Sequence, residues 1–173
     1  MLLKLRRWEE SEGYLSIYDS DSLGGTLGET HNLNSMATKY SEWKKPKVTE
    51  GKNLCSNMQD EVGYNIDAFY SPGSNRIYTC FEESDTQAWK DYSISHEEGH
   101  AFAYTALSEK ERKKLYGLYD QKIEKKEKFV TPYAKQNPDE YFAEMFVNVK
   151  DKGYKGETDI DKALVKALNK LLK

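Results

Sequence analysis

Cysteine, proline and histidine are scarce in this 173-residue chain, with two, four and three copies respectively. Two cysteines, Cys55 and Cys80, exclude a disulfide framework, and neither has the spacing of a zinc knuckle. They read as two free, packed thiols, because free cysteine behaves as a small buried hydrophobe; a single disulfide is the alternative. No apolar run approaches the roughly 20 residues of a membrane-spanning helix. The apolar stretch within residues 1–7 is too short for a secretory leader. The compartment therefore stays open between cytoplasm, a mature secreted product and a piece of a longer protein. Basic excess is also missing: the net charge is −3. Nothing neutralises a phosphate backbone, so nucleic acid is not an expected partner, and neither is a membrane.

What is present is the composition of a polar globular domain, 38% hydrophobic and 32% charged, too apolar for a disordered chain. The length suits one domain over residues 1–173 with a core of its own. No repeat or low-complexity segment divides it, and a monomer is the simplest expectation.

Along the chain, residues 1–13 are charged and give at most a weak helix. Residues 14–18 alternate as a short strand does. Residues 19–35 are rich in Gly, Asp, Ser and Asn and read as a loop; His31 lies there as a surface residue, with no partner at metal-binding spacing. Residues 36–53 resist assignment, with Met36, Tyr40 and Trp43 as packing groups. Residues 56–65 form a polar connection around Gly63. A hairpin signal follows: residues 67–70 and 76–81 are β-prone and flank the turn Ser71-Pro72-Gly73-Ser74-Asn75. Four helices come next. One begins near Asp85 or Thr86 and runs past Tyr104. A second starts at the capping box Ser108…Glu111, and residues 122–129 beyond it read as a solvated face or loop. A third opens on Asn137-Pro138-Asp139-Glu140, with Asn at the cap and Pro at the first helical position. The last starts near Thr158 or Asp161. It sets Ile160, Leu164, Val165, Leu168 and Leu171 on one stripe with lysines opposite, which suits core packing better than a membrane surface. The expected fold class is α+β: a small antiparallel or mixed sheet with an edge strand along a cleft, packed on a mostly helical C-terminal half.

Chemistry concentrates in His96-Glu97-Glu98-Gly99-His100. On a helix, positions i and i+4 share a face, so both imidazoles can address one cation. A glutamate beside that face can serve as general base, the zinc-hydrolase pattern. Two of the chain's three histidines fall in this motif. A catalytic zinc needs a third protein ligand. Glu140 and Glu144, again i and i+4, share a helix face; one can bind metal while the other orients a ligand histidine. Spacing alone does not say which. Arg76, Ile77, Tyr78 and Thr79, shortly before the motif helix, are candidates to hold an extended peptide by strand addition.

Together, His96-Glu97-Glu98-Gly99-His100, Tyr133 and Glu140-Tyr141-Phe142-Ala143-Glu144 resemble the catalytic domain of anthrax lethal factor and the Pro-Pro endopeptidases of clostridia. In that family the zinc ligands are the two motif histidines and the first glutamate of a Glu-aromatic-Phe-Ala-Glu helix. The resemblance therefore implies His96, His100 and Glu140 as ligands of one zinc ion, with Glu144 behind them. A tyrosine seven residues before that glutamate is also a family feature, which implies that Tyr133 donates its phenol O–H to the oxyanion. Residues 60–78 resemble the strand pair bordering the family's substrate cleft, and the likeness spans roughly residues 55–148. Where the family carries an apolar residue this chain has Glu98, which two steps along a helix from His96 should point away from the metal. The function so implied is a zinc-dependent endopeptidase acting on a peptide or protein substrate, with Glu97 as general base for attack of water on the peptide carbonyl. The alternative is an inactive protein-binding module that keeps the fold. A purely structural zinc site would need a fourth protein ligand, and no cysteine or further histidine is spaced to supply it.

Overall fold

A computed structural model describes residues 39–52, 54–55 and 66–173. The strand expected at residues 14–18, the loop with His31, Met36, and the connection around Gly63 including Asp60 lie outside the described residues.

The fold is α+β. Strands β1 (Lys47–Glu50), β2 (Ala68–Ser71) and β3 (Arg76–Thr79) precede helices α1 (Gln87–Thr105), α2 (Glu109–Glu124), α3 (Pro138–Lys152) and α4 (Asp159–Leu171), with a 3-10 turn at Tyr133–Lys135. The chain divides into two compact units, whose described parts are Pro46–Glu97 in one and residues 39–45 with Glu98–Lys173 in the other. The boundary falls inside α1, which runs through it unbroken.

The first unit is built on the sheet, ordered β1-β3-β2. The expected hairpin forms β2 and β3, antiparallel, with Tyr70 opposite Ile77. Asn75 closes its turn at φ 48°, a left-handed conformation that asparagine tolerates. Strand β1 pairs parallel to β3. It is four residues long and mostly exposed, too short and too polar to announce itself by alternation. That unforeseen strand overturns the expectation of two free thiols. Beyond β1, the Gly51 N–H donates to the Thr79 carbonyl and the Cys55 N–H to the Gly51 carbonyl. Cys55 is thereby carried to the end of β3, where it forms a disulfide with Cys80, the α-carbons 6.0 Å apart.

In the second unit the helix signals act where the sequence puts them. Ser108 and Glu111 make a reciprocal capping box, Asn137 accepts from the Glu140 N–H, and Thr158 caps α4. Gly153 ends α3 at φ 61°, a conformation that favours glycine. Ten consecutive residues of α3, Glu140 to Val149, are buried. A helix enclosed all round is a core element, and it carries two carboxylates inward. Tyr40, Trp43, Phe102 and Phe146 form one aromatic cluster beside it. The apolar stripe of α4 is buried at Ile160, Leu164, Val165 and Leu168, as core packing requires.

The reading of residues 122–129 as a solvated face or loop holds for the exposed residues 123–126 and Lys128, and fails at Lys122. Helix α2 continues through it, and its side chain is 0% exposed. Its Nζ donates to Asp161 Oδ1 at 2.9 Å and Thr158 Oγ1 at 3.1 Å, and it lies over the rings of Phe129 and Tyr141. The Tyr141 hydroxyl donates to the same Asp161 oxygen at 2.7 Å. A lysine in a run of Lys and Glu reads as solvated. The partner of Lys122 lies 39 residues away in sequence.

Candidate metal centre

Helix α1 presents His96, Glu97 and His100, all buried, with one ligand atom from each lying within 4.8 Å of the others. This closeness is local to a continuous helix and follows from the i, i+1, i+4 spacing.

In the first unit, Glu97 is anchored by the sheet. The Tyr70 backbone N–H points out of the ladder and donates to Glu97 Oε2 at 2.8 Å. Asp67, just before β2, is fixed from two sides. Its carbonyl accepts from the Cys80 N–H, and its carboxylate accepts from the Trp89 indole at 3.2 Å. Strand β2 is therefore the strand bonded to the motif helix. This corrects the placing of Arg76, Ile77, Tyr78 and Thr79. Strand β3 is the middle strand, its backbone engaged by both β1 and β2, so it cannot accept another strand. Its side chains are engaged as well. Arg76 donates to Thr49 Oγ1 at 3.0 Å, Tyr78 stacks on Phe69 at 5.1 Å, and Ile77 and Thr79 are buried.

In the second unit, His100 Nε2 lies 3.4 Å from Glu140 Oε1. Glu140 and Glu144 are both fully buried. Their meeting with α1 depends on two small residues. A Cβ built on Gly99 would lie 2.9 Å from the Ala143 α-carbon, so α1 and α3 touch backbone to backbone there. Glu144 Oε2 accepts from Thr131 Oγ1 at 2.9 Å, and the same Thr131 oxygen accepts the Ala134 N–H at 3.1 Å. Tyr133 is buried on the 3-10 turn between them. One turn beyond His100, the Tyr104 hydroxyl donates to Asp139 Oδ1 at 3.0 Å, and the Tyr116 hydroxyl to the same oxygen at 2.8 Å. Burial first, then the Asp139 charge, holds the Tyr116 phenol well above the ordinary value. Asp139, next to Glu140, is thereby tied to α1 and α2.

Glu98 points elsewhere, as expected. It accepts from Lys150 at 2.8 Å and from the Tyr40 hydroxyl at 3.2 Å.

No family model, no curated protein and no solved structure matches this chain. His96 and His100 offer imidazole nitrogens, and Glu140 offers a buried carboxylate 3.4 Å from His100; these are atom types that zinc accepts.

Gly99, Thr131 and the Tyr70 N–H are the contributors that sequence reasoning missed. Only Gly99 carried a signal: a glycine inside a helix weakens it by about 1 kcal/mol and so calls for a packing reason.

Proposed function

We propose that this protein is a zinc-dependent endopeptidase resembling the catalytic domain of anthrax lethal factor, with His96, His100 and Glu140 as the zinc ligands. The observation that carries this reading is the 3.4 Å approach of the buried Glu140 carboxylate to His100. It supports Glu140 as the ligand from the i, i+4 pair, the assignment that the resemblance also implies.

When bound, zinc supplies Lewis acidity that acidifies water and polarises a carbonyl. The remaining work belongs to the chain. Glu97 takes the proton of the attacking water and passes it to the leaving nitrogen. Its bond from the Tyr70 N–H holds the carboxylate in one place, so less reorganisation is needed during transfer. Tyr133 donates its phenol O–H to the developing oxyanion. Glu144 orients a ligand histidine, itself held by Thr131. The substrate class is a peptide or protein.

The Tyr70–Glu97 bond also favours a second reading, a binding module without turnover in which Glu97 only ties sheet to helix. Metal content of the purified protein and cleavage of a diverse peptide library, with wild type and Glu97→Ala side by side, separate the two. Stoichiometric zinc with cleavage that Glu97→Ala abolishes is the expected result. Zinc with no cleavage of any peptide selects the binding module, and absence of zinc uptake ends both.

A further inference from the structure

The Thr131 hydroxyl sits between two functional elements and is bonded to both. A threonine hydroxyl offers one proton and two lone pairs. Here the proton goes to Glu144 Oε2 at 2.9 Å, and a lone pair receives the Ala134 N–H at 3.1 Å. Ala134 directly follows Tyr133 in the 3-10 turn. Glu144 lies one helical turn beyond Glu140 on α3. One short side chain thus sets the register between the turn that bears Tyr133 and the face of α3 that bears both glutamates.

Both partners need what Thr131 provides. Glu144 is fully buried, and a buried carboxylate requires donors. Ala134 lies in the first turn of a short helix, where backbone N–H groups have no partner within the helix. Pro132, between Thr131 and Tyr133, has a fixed φ of −56° and leaves the segment little freedom to compensate. We propose that Thr131 is a positioning residue that fixes Tyr133 and Glu144 as one unit. For its catalytic consequence this rests on the zinc-hydrolase reading; for its structural part it rests on the two hydrogen bonds alone.

Thr131→Val keeps the shape and removes the hydroxyl, while Thr131→Ser restores it. In the full chain, the Ala134 amide of Thr131→Val should exchange with solvent roughly ten-fold faster than in wild type, measured against amides in the middle of α4 to discount global opening. Thr131→Ser should return it to the wild-type rate. Zinc affinity, read by chelator competition, should fall about ten-fold in Thr131→Val, as for other groups that support a ligand from behind, and recover in Thr131→Ser. The inference is overturned if Ala134 exchanges at the wild-type rate in Thr131→Val, or if serine restores neither quantity. A wild-type protein that takes up no zinc, yet shows the exchange pattern, would sink the zinc reading and leave the positioning role standing.

Discussion

Gly99 and Ala143 meet so closely that a Cβ on the glycine would stand 2.9 Å from the alanine α-carbon and 3.3 Å from its Cβ and its carbonyl oxygen. Neither residue bears a reactive group. Yet Gly99 immediately precedes His100, and Ala143 stands between Glu140 and Glu144. The distance between the two helix backbones at this crossing sets how closely the His100 imidazole and the Glu140 carboxylate approach, 3.4 Å here. Helix axes approach closest where both contact residues are small.

Gly99→Ala tests that relationship. Alanine raises intrinsic helix stability by about 1 kcal/mol. Overpacking against a backbone atom, which cannot swing aside, costs about 1–3 kcal/mol. The net should be a loss of up to about 2 kcal/mol, together with weaker zinc binding as α1 and α3 are pushed apart. Thermal unfolding and chelator competition measure the two effects. A variant that melts higher than wild type and binds zinc equally well would show that the crossing has slack.

Lys122 gives a second test, independent of metal. Its charge is fully buried and answered by Asp161. Removing one member of a buried ion pair is strongly destabilising, by about 3–5 kcal/mol, because the other charge stays buried. Lys122→Ala should fall in that range in urea unfolding. The double change Lys122→Met with Asp161→Asn should recover much of the loss, because no unpaired charge remains. If the single and double variants unfold at the same urea concentration, the ion pair does not organise α2 against α4.

Much of this architecture was legible beforehand, and the reasons are local. Ser108, Asn137 and Thr158 mark helix starts because a side-chain oxygen there satisfies an amide close in sequence. The motif histidines are legible for the same reason, since i and i+4 share a face in any helix. What stayed hidden depends on partners distant in sequence. Strand β1 exists because β3 stands beside it, and the Cys55–Cys80 disulfide follows from that pairing. Lys122 is buried because Asp161 receives it 39 residues later. A hairpin signal reveals two strands and not which of them is central, so it cannot show that Arg76–Thr79 form the middle strand. Thr131 left no trace at all, since a threonine before a proline in a loop has no distinguishing period.

Tyr133→Phe and Glu97→Ala test the division of labour in the proposed reaction. Loss of one oxyanion donor is worth about 3 kcal/mol, so Tyr133→Phe should lower kcat by about 10²–10³ with KM nearly unchanged. Glu97→Ala removes the general base, typically worth about 10²–10⁴. Both should retain zinc at wild-type stoichiometry, because neither residue is a proposed ligand. Steady-state kinetics on a cleaved peptide, with metal analysis of each variant, decides. A Tyr133→Phe enzyme that raises KM alone would place the phenol on ground-state binding instead.

Stability should decline on the alkaline side. Burial pushes the phenols of Tyr70, Tyr116 and Tyr141 above their ordinary value of 10.0, with Asp139 adding to the shift at Tyr116 and Asp161 at Tyr141. Lys150 is pulled down by burial, but its bond and charge contact with Glu98 outweigh this and raise it above 10.5. In each case the folded state holds its proton more tightly than the unfolded chain. Stability is then fully present below about pH 10 and is lost as pH rises through the shifted values. Urea unfolding at pH 8, 10 and 11 should show a falling midpoint, and phenolate absorbance should grow in step with unfolding for these buried rings. Glu98→Gln should weaken the part due to Lys150 and leave the tyrosine part intact. A midpoint that stays level to pH 11, or phenolate absorbance that saturates near pH 10 with the fold intact, would mean that these rings are open to solvent.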